Sequence, residues 1–342
     1  MEKKKFVGFG EIMVRLAPEG VLRFAQADNF TVNYSGAEGN MAIALSYMGM
    51  PAEMVTKFPD NEIGRCAYRM LKKFDVQTDH IAWGGERLGL YYLERGASQR
   101  PSKVIYDRKH SSIAEADPSD FDWDAIFQDA GWFHFTGITV ALSKNMQEIC
   151  KQACIAAKKH GVTVSCDLNY RKTLWSTEEA QRVMIPLMQY VDVCIANEED
   201  SEKVLGIKAD NTDVTAGKLS IQGYEKLAKQ LADTFGFEKV AITLRESISA
   251  SVNNWSAMVF ADGKTYLSKK YTMQIVDRVG GGDSFASGLI YACLNDFDNQ
   301  KAVEFAAGAS CLKHSIEFDF NLSTVDEVMN LINGDGSGRV QR

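Results

Sequence analysis

The sequence has no apolar run of membrane-spanning length, and the stretch Phe6-Val7-Gly8-Phe9-Gly10 behind Met1-Glu2-Lys3-Lys4-Lys5 is too brief for a secretion signal. Positive charge is scarce: 38 Lys and Arg against 45 Asp and Glu leave a net charge of −7. No basic stripe with interleaved aromatics offsets that balance, so neither nucleic acid nor a membrane is an expected partner. The seven cysteines are odd in number and scattered. Cys150 and Cys154 lie four apart on a predicted helix, but no Cys-x-x-Cys pair or His cluster accompanies them. They read as reduced, mostly buried thiols of a cytoplasmic protein. Gly-x-x-x-x-Gly-Lys-Ser/Thr is absent too, which disfavours a P-loop ATPase. No internal repeat is visible.

What remains is a chain of 342 residues, 45% hydrophobic, with ample material for a large core. Strand patterns at 5–10, 52–57, 132–136, 162–167, 191–196 and 239–244 alternate with helical patterns at 39–49, 62–74, 144–160, 177–189, 198–205, 223–235, 283–294 and 299–314. Such alternation predicts an α/β fold with a doubly wound, mainly parallel sheet flanked by helices. Two stretches, about 12–34 and 88–108, read as short strands and turns without a helix. Antiparallel strands inserted into an α/β domain form a small β-sheet lid. The expected organisation is one domain over 1–332 with two lid inserts, followed by a glycine-rich, flexible tail over 333–342.

The run Val276-Asp277-Arg278-Val279-Gly280-Gly281-Gly282-Asp283-Ser284-Phe285 carries the strongest chemical signal. Phe285, Ala286, Leu289, Ile290, Ala292 and Cys293 follow it at helical spacing, so the three glycines sit at a helix N-terminus. Open backbone N–H groups and the positive end of the helix dipole suit an anion such as phosphate. Asp283 stands at the mouth of that cradle. There it is either an ordinary N-cap or a base that takes a proton from an alcohol while the cradle stabilises a phosphoryl group in transfer. A second glycine-rich segment, Ser35-Gly36-Ala37-Glu38-Gly39-Asn40, opens another helix. Gly36 admits a ligand close to the backbone, and Asn40 offers a donor and an acceptor for hydroxyls.

Asp-x-x-Gly-x-Gly-Asp opening a late helix, together with the Gly36–Asn40 segment, resembles the ribokinase-like (PfkB-type) sugar kinases. Arg278 and Gly281 depart from the Thr and Ala usual there. Further segments resemble one branch, the 2-keto-3-deoxygluconate kinases: Gly89-Leu90-Tyr91-Tyr92, Val104-Ile105-Tyr106-Asp107-Arg108, Asp167-Leu168-Asn169-Tyr170-Arg171, Ala196-Asn197-Glu198-Glu199-Asp200 and Cys311 to Asn321. The resemblance implies an ATP-dependent kinase making 2-keto-3-deoxy-6-phosphogluconate, with Mg²⁺ and a monovalent cation such as K⁺ as further ligands. A kinase of a neutral ketose such as fructose, and a non-catalytic sugar or nucleotide sensor, are the alternatives. It also implies a homo-oligomer, a dimer through the lids.

By the same resemblance Asp283 is the general base and residues 280–283 the anion hole. Gly36, Asn40, Tyr91, Tyr106, Arg108, Arg171, Asp283 and Asp319 would meet the sugar. Asn169, Asn197, Thr243, Arg245, Ser247, Gly280, Gly281, Gly282 and Ala307 would meet ATP, and Asp200 the metal. A physical argument runs beside it: a sugar acid needs its carboxylate neutralised, and Arg108 and Arg171 both fall at strand ends, where α/β proteins bind ligands. Guanidinium groups grip carboxylates in a planar, two-pronged manner that Lys cannot copy. Phe318 precedes Asp319 where the family often has Gly.

Overall fold

In the computed structural model, which describes residues 5–208 and 221–336, β1 (Lys5–Phe9) is buried along its whole length. Such a strand needs cover on both faces. The chain then leaves for β2 (Met13–Ala17) and β3 (Thr31–Ser35) before α1 (Ala37–Tyr47) returns it to β4 (Ala52–Val55). The short β5 (Lys57–Phe58), α2 (Glu62–Lys73) and β6 (Ala82–Trp83) lead to a second excursion, β7 (Gly89–Glu94) and β8 (Lys103–Asp107). Alternation then resumes with α3 (Trp123–Ile126), β9 (Ala130–Thr136), α4 (Gly137–Ala141), α5 (Lys144–Lys159), β10 (Thr163–Asp167), α6 (Thr177–Leu187), β11 (Val193–Ala196), α7 (Glu198–Leu205) and α8 (Ile221–Phe235). Four strands, β12 (Lys239–Ser247), β13 (Val252–Ala261), β14 (Lys264–Leu267) and β15 (Tyr271–Gln274), precede α9 (Gly281–Leu294), α10 (Asn299–Lys313) and α11 (Val325–Ile332).

Among the described residues the main sheet has nine strands in the order β14-β13-β12-β11-β10-β9-β1-β4, with β15 also paired to β13. Pairing is parallel from β12 through to β4 and antiparallel beyond β12. Side chains alternate between two cores, Phe6 joining one and Val7 and Phe9 the other. One core packs Met184 and Leu227 of α6 and α8 under the sheet. The other packs Leu45, Leu289 and Phe305 of α1, α9 and α10. From β1 the chain moves first to β4 on one side and then to β9 on the other. That reversal opens a crevice at the strands' C-terminal ends.

The lid sheet runs β3-β2-β7-β8. It is mixed, which corrects the antiparallel expectation: β2 and β7 pair in parallel. Each excursion is an antiparallel pair of its own, and the first strands of both leave the body side by side. Other differences are local. The strand expected at 52–57 splits at Thr56, and its end pairs with β6 instead. Helix α1 starts two residues earlier than the apolar pattern implies, capped by the extended backbone of Gly36. The helix expected over 177–189 contains Pro186 and tightens into a 3₁₀ turn at Met188–Tyr190. The four-residue tail segment 333–336 follows α11; 337–342 lie outside the described residues.

Candidate active site

A cavity of about 1030 Å³ lies between the sheet's C-terminal edge and the lid. Helix α9 brings its N-terminus to one wall. Gly280 holds φ 82°, and a Cβ there would stand 1.9 Å from the Asp319 carbonyl, so only glycine permits this approach. Gly282 faces open space, which leaves the first-turn N–H groups reachable by a ligand. Asp283, in that same turn, accepts a hydrogen bond of 2.6 Å from Asn40 Nδ2 at the start of α1. Burial raises the Asp283 pKa to about 6, against the lowering effect of the Asn40 hydrogen bond. A carboxylate poised there can accept a proton from an alcohol at neutral pH.

Two more acids share the wall. Glu38 accepts from the Thr136 amide at 3.0 Å, the Thr136 hydroxyl at 2.9 Å and the Thr139 hydroxyl at 2.6 Å. Burial raises its pKa to about 7, partly opposed by those hydroxyls. Asp167, at the end of β10, is also held well above the usual carboxylate range, by burial and then by the nearby Asp200 and Asp283. Its neighbour Arg171 is exposed in the cavity, with its guanidinium donating to the Tyr170 carbonyl at 3.0 Å.

Beside the cradle, an ion network ties lid to body. Arg15 of β2, 1% exposed, donates to Asp277 at 2.5 Å and to Asp319 at 2.7 Å. Burial works against its charge, but the two carboxylates more than reverse that and raise its pKa. Tyr91 of β7 donates to the other Asp319 oxygen at 2.5 Å, and Asn33 Nδ2 lies 3.3 Å from the first. Phe318 takes φ 64°, a left-handed backbone that bulky residues rarely adopt, and its ring lies 5.5 Å from the Arg15 guanidinium carbon. Behind the cradle, Lys313 is fully buried and donates to the Asp277 and Ile316 carbonyls at 3.0 and 3.4 Å. Burial lowers its pKa to about 8, although Asp277 and Asp319 pull the other way.

An anion cradle, a raised carboxylate beside it and a lidded polar cavity suit transfer of a phosphoryl group to an alcohol. The pfkB family carbohydrate kinase model matches residues 3–315. This chain belongs to that family. The kinase is 54% identical to a 2-dehydro-3-deoxygluconokinase of Thermotoga maritima of known crystal structure, with a TM-score of 0.94 over 97% of this chain and 100% of that one. It is 32% identical to a 2-dehydro-3-deoxygalactonokinase of Haloferax volcanii, with 98% of each chain covered. A 2-dehydro-3-deoxygluconokinase of Thermoproteus tenax is 26% identical over 92% of this chain and 89% of its own.

Nearly all residues singled out from the kinase's sequence line the cavity: Gly36, Asn40, Tyr91, Tyr106, Arg108, Arg171, Asp283 and Asp319 of those expected to meet the sugar, and Asn169, Asn197, Asp200, Thr243, Arg245, Ser247 and Gly280–Gly282 of those expected to meet ATP or metal. Ala307 does not. It is fully buried in α10, where small side chains let that helix pack closely on α9, so the expected ATP contact is corrected. Arg108 lines the cavity but is committed: its Nε donates to Glu11 at 2.8 Å, and its Nη2 takes the same oxygen. Asp319 is likewise committed to Arg15, Tyr91 and Asn33. Asp200 accepts from the Tyr170 amide at 3.0 Å. Among the described residues no group of three or more His, Cys, Asp or Glu could by itself hold a metal ion. Sequence reasoning missed Arg15, Glu11, Glu38 and Lys313. A lone charge inside the apolar run Met13-Val14-Arg15-Leu16 was the one signal for Arg15, and it named no partner.

Proposed function

We propose that this kinase phosphorylates the terminal hydroxyl of 2-keto-3-deoxygluconate with ATP, giving 2-keto-3-deoxy-6-phosphogluconate. Arg171 carries the reading. It is a guanidinium free of any carboxylate ion pair among the described residues, and it shares the cavity with Asp283. The 54% identical Thermotoga maritima relative and the 32% identical Haloferax volcanii one bear names of kinases of 2-keto-3-deoxy sugar acids, and the former supports the gluconate form. Arg171 pairs with the substrate carboxylate, and Tyr91, Tyr106, Gly36 and Asn40 bound the sugar. Arg108, already paired with Glu11, shapes the wall rather than gripping the acid.

Asp283 accepts the hydroxyl proton, oriented by Asn40. The α9 N-terminus stabilises charge on the phosphoryl group. Asn169, Asn197, Thr243, Arg245 and Ser247 bound the nucleotide. Mg²⁺ needs few protein ligands when phosphates supply the rest, which fits Asp200 acting through water. When bound it neutralises phosphate charge. A monovalent cation is not part of this reading, because the Lys313 ammonium already holds the Asp277 and Ile316 carbonyls.

The edge strand β8 is exposed throughout, with Val104, Ile105 and Tyr106 uncovered, which supports pairing of two copies through their lids. All seven cysteines are free thiols, which supports a cytoplasmic setting. The test is a coupled ADP-release assay across sugar acids and neutral ketoses. Turnover confined to 2-keto-3-deoxy sugar acids is expected. Faster turnover of fructose, or none with any sugar, would overturn the proposal.

A further inference from the structure

Arg278 has no part in the reading above. It stands two residues ahead of Gly280, half-buried, where the end of the β15–α9 loop meets the cavity. Its Nη2 lies 3.3 Å from the Ala250 carbonyl in the β12–β13 turn. Arg245, near the end of β12, lines the same cavity. Neither guanidinium has an ion-paired carboxylate among the described residues. Asp277, next to Arg278 in the chain, has its carboxylate drawn away to Arg15 at 2.5 Å.

Bringing two like charges together costs free energy, more so when one is partly desolvated, and the protein supplies no counter-charge. The Arg278 pKa is indeed lowered, first by burial and then by Arg245. A missing counter-charge beside a cradle of backbone N–H groups points to a polyanionic ligand. The sugar acid's single carboxylate has its own partner in Arg171, two strands away behind β10, a separation of about 10 Å at ordinary strand spacing. The polyanion is therefore the nucleotide's phosphate chain.

We propose that Arg278, together with Arg245, clamps the nucleotide's phosphate chain from the side of the β12–β13 turn. This is a phosphate-recognition role for a residue standing where related kinases usually carry Thr. The proposal rests on the kinase reading but not on the identity of the sugar. A single guanidinium gives planar, two-pronged contacts to phosphate oxygens. Its hydrogen bond to Ala250 fixes its direction and closes the hairpin turn over the phosphates.

The test is calorimetric titration of the full-length protein and its Arg278→Gln, Arg278→Lys and Arg245→Gln variants with ATP, tripolyphosphate and adenosine, without sugar. Losing a charge-assisted contact should weaken ATP and tripolyphosphate about ten- to hundredfold in Arg278→Gln. Adenosine affinity and the melting temperature should hold, and Arg278→Lys should recover part of the loss. Arg245→Gln should show the same selective loss. If Arg278→Gln fails to fold, the Arg278→Lys and Arg245→Gln titrations decide. Unchanged tripolyphosphate binding, or equal losses for adenosine and ATP, would overturn the proposal. No sugar is present, so a failure of the sugar-acid reading would leave these titrations unaffected.

Discussion

Asp283 carries a conflict between stability and function. Its carboxyl is raised to about 6 by burial, whereas an unfolded Asp titrates near 4. Between those values the folded chain holds a proton that the unfolded chain has released, so this group's contribution to stability falls as pH rises through that window. Turnover should move oppositely, rising with pH towards a plateau above about 6 as the base ionises. Asp283→Asn should lower kcat by at least about a hundredfold, the scale of a positioned base. It should also raise the melting temperature above pH 6 relative to the parent, with the difference shrinking towards pH 4. Comparable turnover in the variant would remove Asp283 from the role of base. Lys313 supports a second expectation: replacing K⁺ by tetramethylammonium in the assay should leave kcat within about twofold, since a buried ammonium already bridges two carbonyls. A strong K⁺ requirement would contradict it.

Single residues were unevenly legible. Glycines before an acid at a helix start announce an anion site because backbone geometry alone creates it. Arg108 and Asp319 looked free in the sequence, yet their partners Glu11 and Arg15 lie about a hundred and three hundred positions away. No local pattern encodes such pairings. Phe318 is similar: nothing in its neighbours requires φ 64°, which the ring's approach to Arg15 accompanies.

At the scale of elements, the parallel strands were readable because buried runs and amphipathic helices alternate. Strands β13 to β15 were not, since Asn253, Asn254 and Ser256 interrupt the apolar pattern and no helix separates them. The antiparallel pairing of β13 with β12 forms a turn beside the cavity, and β14 and β15 pair with β13. The lid was visible as two helix-free inserts, but its parallel seam depends on how both leave the body. Arg15 is its anchor. Arg15→Met leaves Asp277 and Asp319 buried without their cation, which typically costs about 3–5 kcal/mol. Urea denaturation should show that loss, and a change below about 1 kcal/mol would contradict the anchoring role. Hydrogen exchange in β2, β3, β7 and β8 should slow when sugar acid is added, because a closed lid keeps water from the transferring phosphoryl group. Unchanged exchange at saturating ligand would count against closure.

Across the whole molecule, the proposed reading has one edge of the main sheet serve two anions. The α9 cradle, Arg245 and Arg278 line the same cavity as Arg171, which follows β10, two strands along from β12. An acidic protein with net charge −7 has reason to concentrate its unpaired guanidiniums where anionic substrates arrive. The reading of a sugar-acid kinase stands on Arg171, and one comparison tests it most directly. The measurement is kcat/KM for 2-keto-3-deoxygluconate and for fructose in the parent and in Arg171→Leu, with ATP saturating. Truncating one partner of a desolvated charge pair typically costs about 2–5 kcal/mol, or roughly one to four decades. That loss should fall on the sugar acid through KM, while any residual turnover of fructose and the KM for ATP stay nearly constant. Equal losses for both sugars would show that Arg171 supports the site's architecture instead, and would contradict the assignment of a sugar-acid substrate.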